Sequence, residues 1–233
     1  MDFEGRTVIV TGGDGALGRA VVEALLAAGA VCHVPHRGEQ AGRLHDHQRL
    51  ILHPGIELTD EAAVEGFYRG VPQLWASIHI AGGFAFGAVA ATPVSVLMGQ
   101  LGTNLVTCWL CCRSAVTALT TLTAAGSGGR IVNVAARPAL EWRGGAGMAA
   151  YTASKAAVAA FTVALAEEVA RDGVLVNAVA PSILDTEANR KAMPNADHGA
   201  WPKVEDVAST ILFLASPANK VTRGAIVPVY GRV

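Results

Sequence analysis

Tyr151 and Lys155 carry the clearest capacity for chemistry in this 233-residue chain. Four residues apart, they stand one turn apart on one helical face. A lysine ammonium beside a phenol favours the phenolate, drawing its pKa from about 10 toward neutrality. The phenol then becomes a usable proton donor. A tyrosine and a lysine at this spacing are a weak signal alone, and their surroundings give the pair its weight. Residues 134–150 contain neither serine nor threonine, so no hydroxyl on the approach to Tyr151 shares its work.

A second constellation lies near the start of the chain. Thr11-Gly-Gly-Asp-Gly-Ala-Leu-Gly18 joins a β-branched run to an alanine-rich helical pattern. Glycines let a backbone approach a pyrophosphate, and a helix N-terminus offers free N–H groups and a positive dipole end. Gly12, Asp14, Gly15, Leu17 and Gly18 are the candidate contacts. A plain glycine-rich turn is the competing reading, and the position between first strand and first helix argues against it. About twenty residues further on, an acidic side chain would bind ribose hydroxyls and favour NAD, whereas an arginine accommodates a 2′-phosphate. Here the chain reads Pro35-His36-Arg37, with no carboxylate before Glu39. Arg37 therefore favours NADP(H) over NAD(H).

These residues need elements to position them. Runs rich in β-branched residues alternate with Ala/Leu-rich helical patterns. Strands are expected at 6–11, 31–34, within 50–58, and at 74–80, 130–134, 174–179 and 225–229. Helices are expected at 16–28 (closed by Gly29), from an Asp60 cap to about 69, and at 95–119, 149–171 and 203–215. Such alternation implies a parallel sheet covered on both faces. The irregular segments 82–94, 135–148 and 181–202 each follow a strand, at the edge where such sheets bind ligands.

Composition narrows the partners. A net charge of −1 gives no electrostatic case for nucleic acid or an anionic membrane. Asp2 and Glu4 precede the first apolar run, unlike a signal peptide, and four cysteines form no disulfide framework in a chain this size. A cytoplasmic protein acting on a small molecule is expected. Across residues 70–129 the one charged side chain is Arg113. Glycines, Pro93, Gln100 and Asn104 interrupt that stretch too often for a membrane span. It reads better as a buried strand and a helix covered on most sides, as at the interface of a homodimer or homotetramer.

Taken together, the residues resemble the short-chain dehydrogenase/reductase family, in the family's order and over almost the whole chain. The glycine loop comes first, with Ala16 where the family usually has glycine. Glu57-Leu58 stands where many members carry an Asp near the adenine. Ala81-Gly82-Gly83 follows the fourth strand, without the family's asparagines. Asn104 matches the catalytic Asn, and Tyr151 and Lys155 match the catalytic pair. The segment from Asn177 through Pro181, Leu184 and Thr186 resembles the part that holds the nicotinamide, with Ser182 replacing a usual glycine. Residues 205–216 resemble the final helix. The resemblance implies one Rossmann-like α/β domain, 1–233, with a seven-stranded doubly wound parallel sheet. It implies that Asn104, Tyr151 and Lys155 are catalytic and that Gly12, Asp14, Gly15, Leu17, Gly18, Arg37, Glu57, Leu58, Ala81, Gly82, Gly83, Tyr151, Lys155, Pro181, Leu184 and Thr186 bind cofactor, with no metal.

The catalytic serine is missing, and Ala136 stands in its place. Removing one oxyanion donor typically costs about 10²–10³ in rate. An activated acceptor, with C=N character or conjugation, could dispense with it. The loop at Gly12–Gly18, Ala81-Gly-Gly83 and residues 184–197 also look like the matching parts of dihydropteridine reductase, which lacks that serine too. That enzyme uses NADH through an acidic residue that His36 replaces here. Two alternatives are a carbonyl reductase or alcohol dehydrogenase with a substitute donor, such as water held by Arg137 or Glu141, and a cofactor-binding sensor without catalysis. Cys108-Trp-Leu-Cys111-Cys112 contains a Cys-x-x-Cys spacing that a redox or metal role could use, but small apolar packing on a helix explains it better. His45-Asp-His47 could touch a metal, but without a fixed catalytic spacing it reads better as solvated helix and loop residues. Trp142 and Trp201 border the site and could stack on a flat substrate.

Overall fold

The computed structural model describes residues 1–38, 44, 47–122 and 128–233. Seven strands, β1 (Thr7–Thr11), β2 (Val31–His36), β3 (Leu50–Pro54), β4 (Leu74–His79), β5 (Gly129–Val134), β6 (Val174–Pro181) and β7 (Ile226–Val229), form one sheet. Their order is β3-β2-β1-β4-β5-β6-β7 and every pairing is parallel. All five residues of β1 are buried, as expected for a central strand covered on both faces. Its side chains alternate. Val8 and Val10 join one core with α1 (Ala16–Ala27) and α7 (Val204–Ala215), while Ile9 joins another with α2 (Glu61–Arg69) and residues of the central helices.

The central helices are α3 (Val94–Gln100), α4 (Thr107–Leu122) and α5 (Ala149–Glu168). The sequence predicts a single helix over 95–119. Instead, a π-helical turn at Leu101–Val106 separates α3 from α4, and the Thr107 N–H reaches back five residues to the Gly102 carbonyl. Gly99 and Gly102 are poor helix formers and make such a widened turn less costly. The predicted cap is found: the Asp60 carboxylate accepts from the Ala63 N–H at 3.0 Å. A short helix absent from the sequence reading, α6 (Glu187–Ala192), lies in the expected loop 181–202. Strands β2 and β6 also run further than expected, through Pro35 and Pro181. Pro35 lies beyond His33, the last residue paired to β1, where a strand tolerates proline.

Residues 94–121 and α5 are long and apolar enough to cross a membrane by length and composition. In this fold they pack on the sheet, α4 against β4 and α5 against β6. Their outward faces stay apolar, with the rings of Trp109 (α4) and Phe161 (α5) 4.8 Å apart. Because β1 has β2 on one side and β4 on the other, the chain departs in opposite directions from adjacent strands. The crevice at their carboxyl ends is where a sheet of this topology takes its ligand.

Candidate active site

The glycine loop opens α1 at that crevice. Gly12 has φ +67°, and a Cβ there would lie 2.7 Å from the Ala81 backbone nitrogen. A Cβ at Gly18 would sit 2.0 Å from the Gly12 carbonyl oxygen. Both positions thus demand glycine, one for its conformation and its neighbour, the other for space. The N-cap Gly15 has no side chain to satisfy the first N–H groups of α1, and no acidic residue lies in its first turn. Those donors and the dipole face the crevice, as an anion site requires. Asp14 and Gly15 are exposed, whereas Leu17 points into the core and can offer only its backbone.

At the end of β2, His36 is buried and its Nδ1 has no hydrogen-bond partner among the described residues. Arg37 Nη1 lies 4.0 Å from Glu57 Oε2, with the arginine side chain 81% exposed. So loose an exposed pair leaves the guanidinium available to another anion. Glu57 accepts from the N–H and hydroxyl of Thr59, and these bonds hold its carboxyl below the usual range. Leu58 is buried. Glu39 and the His45-Asp46 pair lie outside the described residues. The uncapped helix, the two crowded glycines and the orphaned His36 nitrogen together fit a dinucleotide.

Gly82 and Gly83, just past β4, are clasped by Asn104 from the π-helical turn. Asn104 Oδ1 accepts from the Gly83 N–H at 2.9 Å, and its Nδ2 donates to the Gly83 carbonyl at 3.0 Å. The same Nδ2 donates to Ser154 Oγ at 3.0 Å. A Cβ at Gly82 would stand 2.7 Å from Asn104 Oδ1 and 3.3 Å from Lys155 Nζ. Gly82, Asn104 and Lys155 therefore converge. Ser154, which the sequence reading passed over, ties Asn104 to α5; its place between Tyr151 and Lys155 was the available signal.

Lys155 is buried and donates from Nζ to the Val134 carbonyl at 2.7 Å. Burial pushes its ammonium down to about 8. Tyr151 differs from the expectation of a lowered pKa: burial pushes its phenol up to about 12. Desolvation governs the phenol. The Tyr151 ring is held edge-on by Phe84 at 5.0 Å.

Ala136 is buried and extended (φ −163°, ψ 160°) just past β5. Arg137 and Glu141, the residues considered as holders of a substitute water, pair with each other. Arg137 Nε donates to Glu141 Oε2 at 2.6 Å, and the guanidinium lies over the Tyr230 ring. Ser182 Oγ donates to the Tyr230 carbonyl. Trp142 is 72% exposed, whereas Trp201 is buried against His198 and packs its loop. Beyond Pro181, Leu184 takes an Asn189 side-chain bond on its carbonyl, and Thr186 caps α6 by accepting from the Asn189 N–H.

Residues 6–197 match the model of the short chain dehydrogenase family, and the chain belongs to that family. It is similar to 2,3-dihydroxy-2,3-dihydro-p-cumate dehydrogenase of Pseudomonas putida F1, at 29% identity over 99% of this chain and 95% of the relative. It is equally similar to 2-dehydro-3-deoxy-D-gluconate 5-dehydrogenase of Bacillus subtilis, 29% identical with the same coverage. Among solved structures, one described as an NAD(P)-dependent gluconate 5-dehydrogenase from Beutenbergia cavernae, with bound NADP, superposes with a TM-score of 0.87 at 28% identity. The match covers 99% of this chain and 97% of that one. The chain is an NAD(P)-dependent oxidoreductase of this family. The likeness to dihydropteridine reductase rests on loop residues alone, and none of these relatives carries that name.

Proposed function

We propose that this chain transfers hydride from NADPH to an electron-poor acceptor with C=N or conjugated C=O character, as a dihydropteridine reductase does. The observation that carries the reading is Ala136, a buried methyl where an oxyanion donor is expected, with Arg137 and Glu141 paired to each other. An acceptor that stabilises its own developing charge needs no second donor. Phe84, Phe86 and Trp142, each more than 60% exposed beside the site, suit a flat apolar ring. The N-terminus of α1 with Gly12, Gly15 and Gly18 holds the pyrophosphate, Arg37 the 2′-phosphate, Lys155 the ribose, and Leu184 and Thr186 the carboxamide. The dinucleotide, when bound, supplies the hydride. Tyr151, which keeps its proton at neutral pH, delivers it to the acceptor nitrogen or oxygen, and Lys155 stabilises the phenolate left behind. Asn104 fixes the loop that faces Lys155.

NADPH oxidation is measured with quinonoid dihydropterin, cyclic imines, activated ketones and simple ketones. Turnover of the first three and little of the last is expected. Ala136→Ser should then raise the simple-ketone rate by about 10–10² while changing the activated acceptors little. Full wild-type activity on simple ketones, or no gain in the variant, would sink the reading. A second reading, oxidation of a cyclic diol, is favoured by the dihydrodiol dehydrogenase likeness and shows as NADP+ reduction with such diols.

For the cofactor, Arg37→Ala should raise KM for NADPH by about 10–10² and leave that for NADH within about 2-fold, the usual weight of a charge-assisted phosphate contact. An equal change for both cofactors would remove Arg37 from the 2′-phosphate. We also propose a cytoplasmic homodimer or homotetramer. Its support is the apolar outward face of α4 and α5, where Trp109 is 52% exposed, together with the four free cysteines. A monomer in sizing experiments at micromolar concentration would contradict the assembly.

A further inference from the structure

Beneath the active site lies a polar cluster that the reaction does not use. Cys108 and Cys112, one turn apart on α4, face His79 at the end of β4. The two sulfurs and a ring nitrogen of His79 all lie within 4.8 Å of one another, and all three side chains are buried. Cys112 Sγ is 3.3 Å from His79 Nδ1 and 3.4 Å from Asn133 Oδ1 on β5. We propose that His79, Cys108 and Cys112 form a structural site for a soft divalent d10 ion, zinc by its chemistry, with Asn133 Oδ1 at the fourth position.

Two thiolates and an imidazole around zinc, with bonds of about 2.3 and about 2.1 Å, stand roughly 3.5–3.8 Å apart. Cys112 Sγ and His79 Nδ1, 3.3 Å apart, are near that separation, and Cys108 lies within 4.8 Å of the pair. Charge points the same way. Two thiolates in a dry interior are costly, and a divalent ion neutralises both, releasing two thiol protons to solvent. The outer shell is in place as well. In the structure His79 Nδ1 is hydrogen-bonded to Asn133 Oδ1 at 2.8 Å. An ion would replace that hydrogen bond, the ring proton moving to Nε2, which then faces Ser77 Oγ at 2.8 Å and Tyr68 OH at 3.2 Å. Asn133 Nδ2 donates to Thr162 Oγ1 at 2.9 Å, which aims Oδ1 at the cluster. Metal-bound histidines and carbonyls are oriented by such partners. The ion would join α4 to β4 and β5 one turn beyond Asn104.

The test is metal content in the full-length protein, produced in zinc- or cobalt-supplemented medium so that the ion can enter during folding. About one zinc per chain is expected in the wild type, and a thiolate-to-cobalt charge-transfer band in the cobalt form. Cys108→Ser and Cys112→Ser should each lose the band, while Cys111→Ala keeps it. Less than about one-tenth of an equivalent in the wild type, with folding verified by its melting transition, would overturn the site. So would a band unchanged in both serine variants. Neither outcome depends on which substrate the enzyme takes.

Discussion

Tyr151→Phe is expected to lower kcat by about 10²–10⁴, the usual weight of a positioned general acid, and to leave the dissociation constant for NADPH within about 2-fold. The variant removes one oxygen and keeps the ring, so the edge-on contact with Phe84 survives. Burial already holds the phenol at about 12, so the hydroxyl is a proton donor at neutral pH. Its loss should also flatten the alkaline limb of the pH–rate profile. Stopped-flow rates with saturating NADPH and a fluorescence titration of the cofactor measure the two quantities separately. Retention of more than about a tenth of the wild-type rate would remove Tyr151 from the chemistry.

Lys155→Met should do two opposite things. Activity should fall by about 10²–10⁴, because the ribose and the phenolate lose their cation. The unliganded protein should nonetheless melt higher at pH 7. Lys155 has its ammonium brought from 10.5 to about 8 in the fold. Below pH 8 the side chain is charged in both folded and unfolded chains, and the fold carries the full desolvation penalty. Between about 8 and 10.5 the unfolded chain holds more proton, so this group makes wild-type stability rise with pH. Above 10.5 the penalty is gone. A shift of this size corresponds to about 3 kcal/mol, offset by about 1–2 kcal/mol for the hydrogen bond lost to the Val134 carbonyl. A net gain of about 1–2 kcal/mol, roughly 2–8 °C in Tm, is expected at pH 7, vanishing above pH 10.5. A lower Tm at pH 7 would show that the bond to Val134 outweighs the buried charge.

The sheet was readable because its strands are apolar on both faces and its breaks are marked by glycine and proline. The Asp60 cap and the Gly29 stop were local signals and fell within a residue of their expected places. The π-helical turn was not legible, since an apolar helix with two glycines has the same composition whether its bonds span four residues or five. Thr186 was a candidate through the family pattern, but its place as the cap of α6 depended on Asn189 folding back. The glycine loop, Asn104, Tyr151 and Lys155 are found at one crevice, as the pattern of residues suggested. The lowered Tyr151 pKa is not found because helical spacing says nothing about how deeply the phenol is buried. The cysteines were rightly placed in the interior. Their neighbour His79 lies 29 residues before Cys108 in the sequence, and only the β4–α4 packing brings them together.

The close approach of Gly12 to Ala81 bears on how this enzyme could be remodelled. The two segments touch backbone to backbone, so neither can be exchanged as a cassette without refitting the other. Phe86 and Trp142 border the same crevice through exposed side chains, and mutagenesis there can sample new substrates without disturbing that backbone contact or the Phe84 ring against Tyr151.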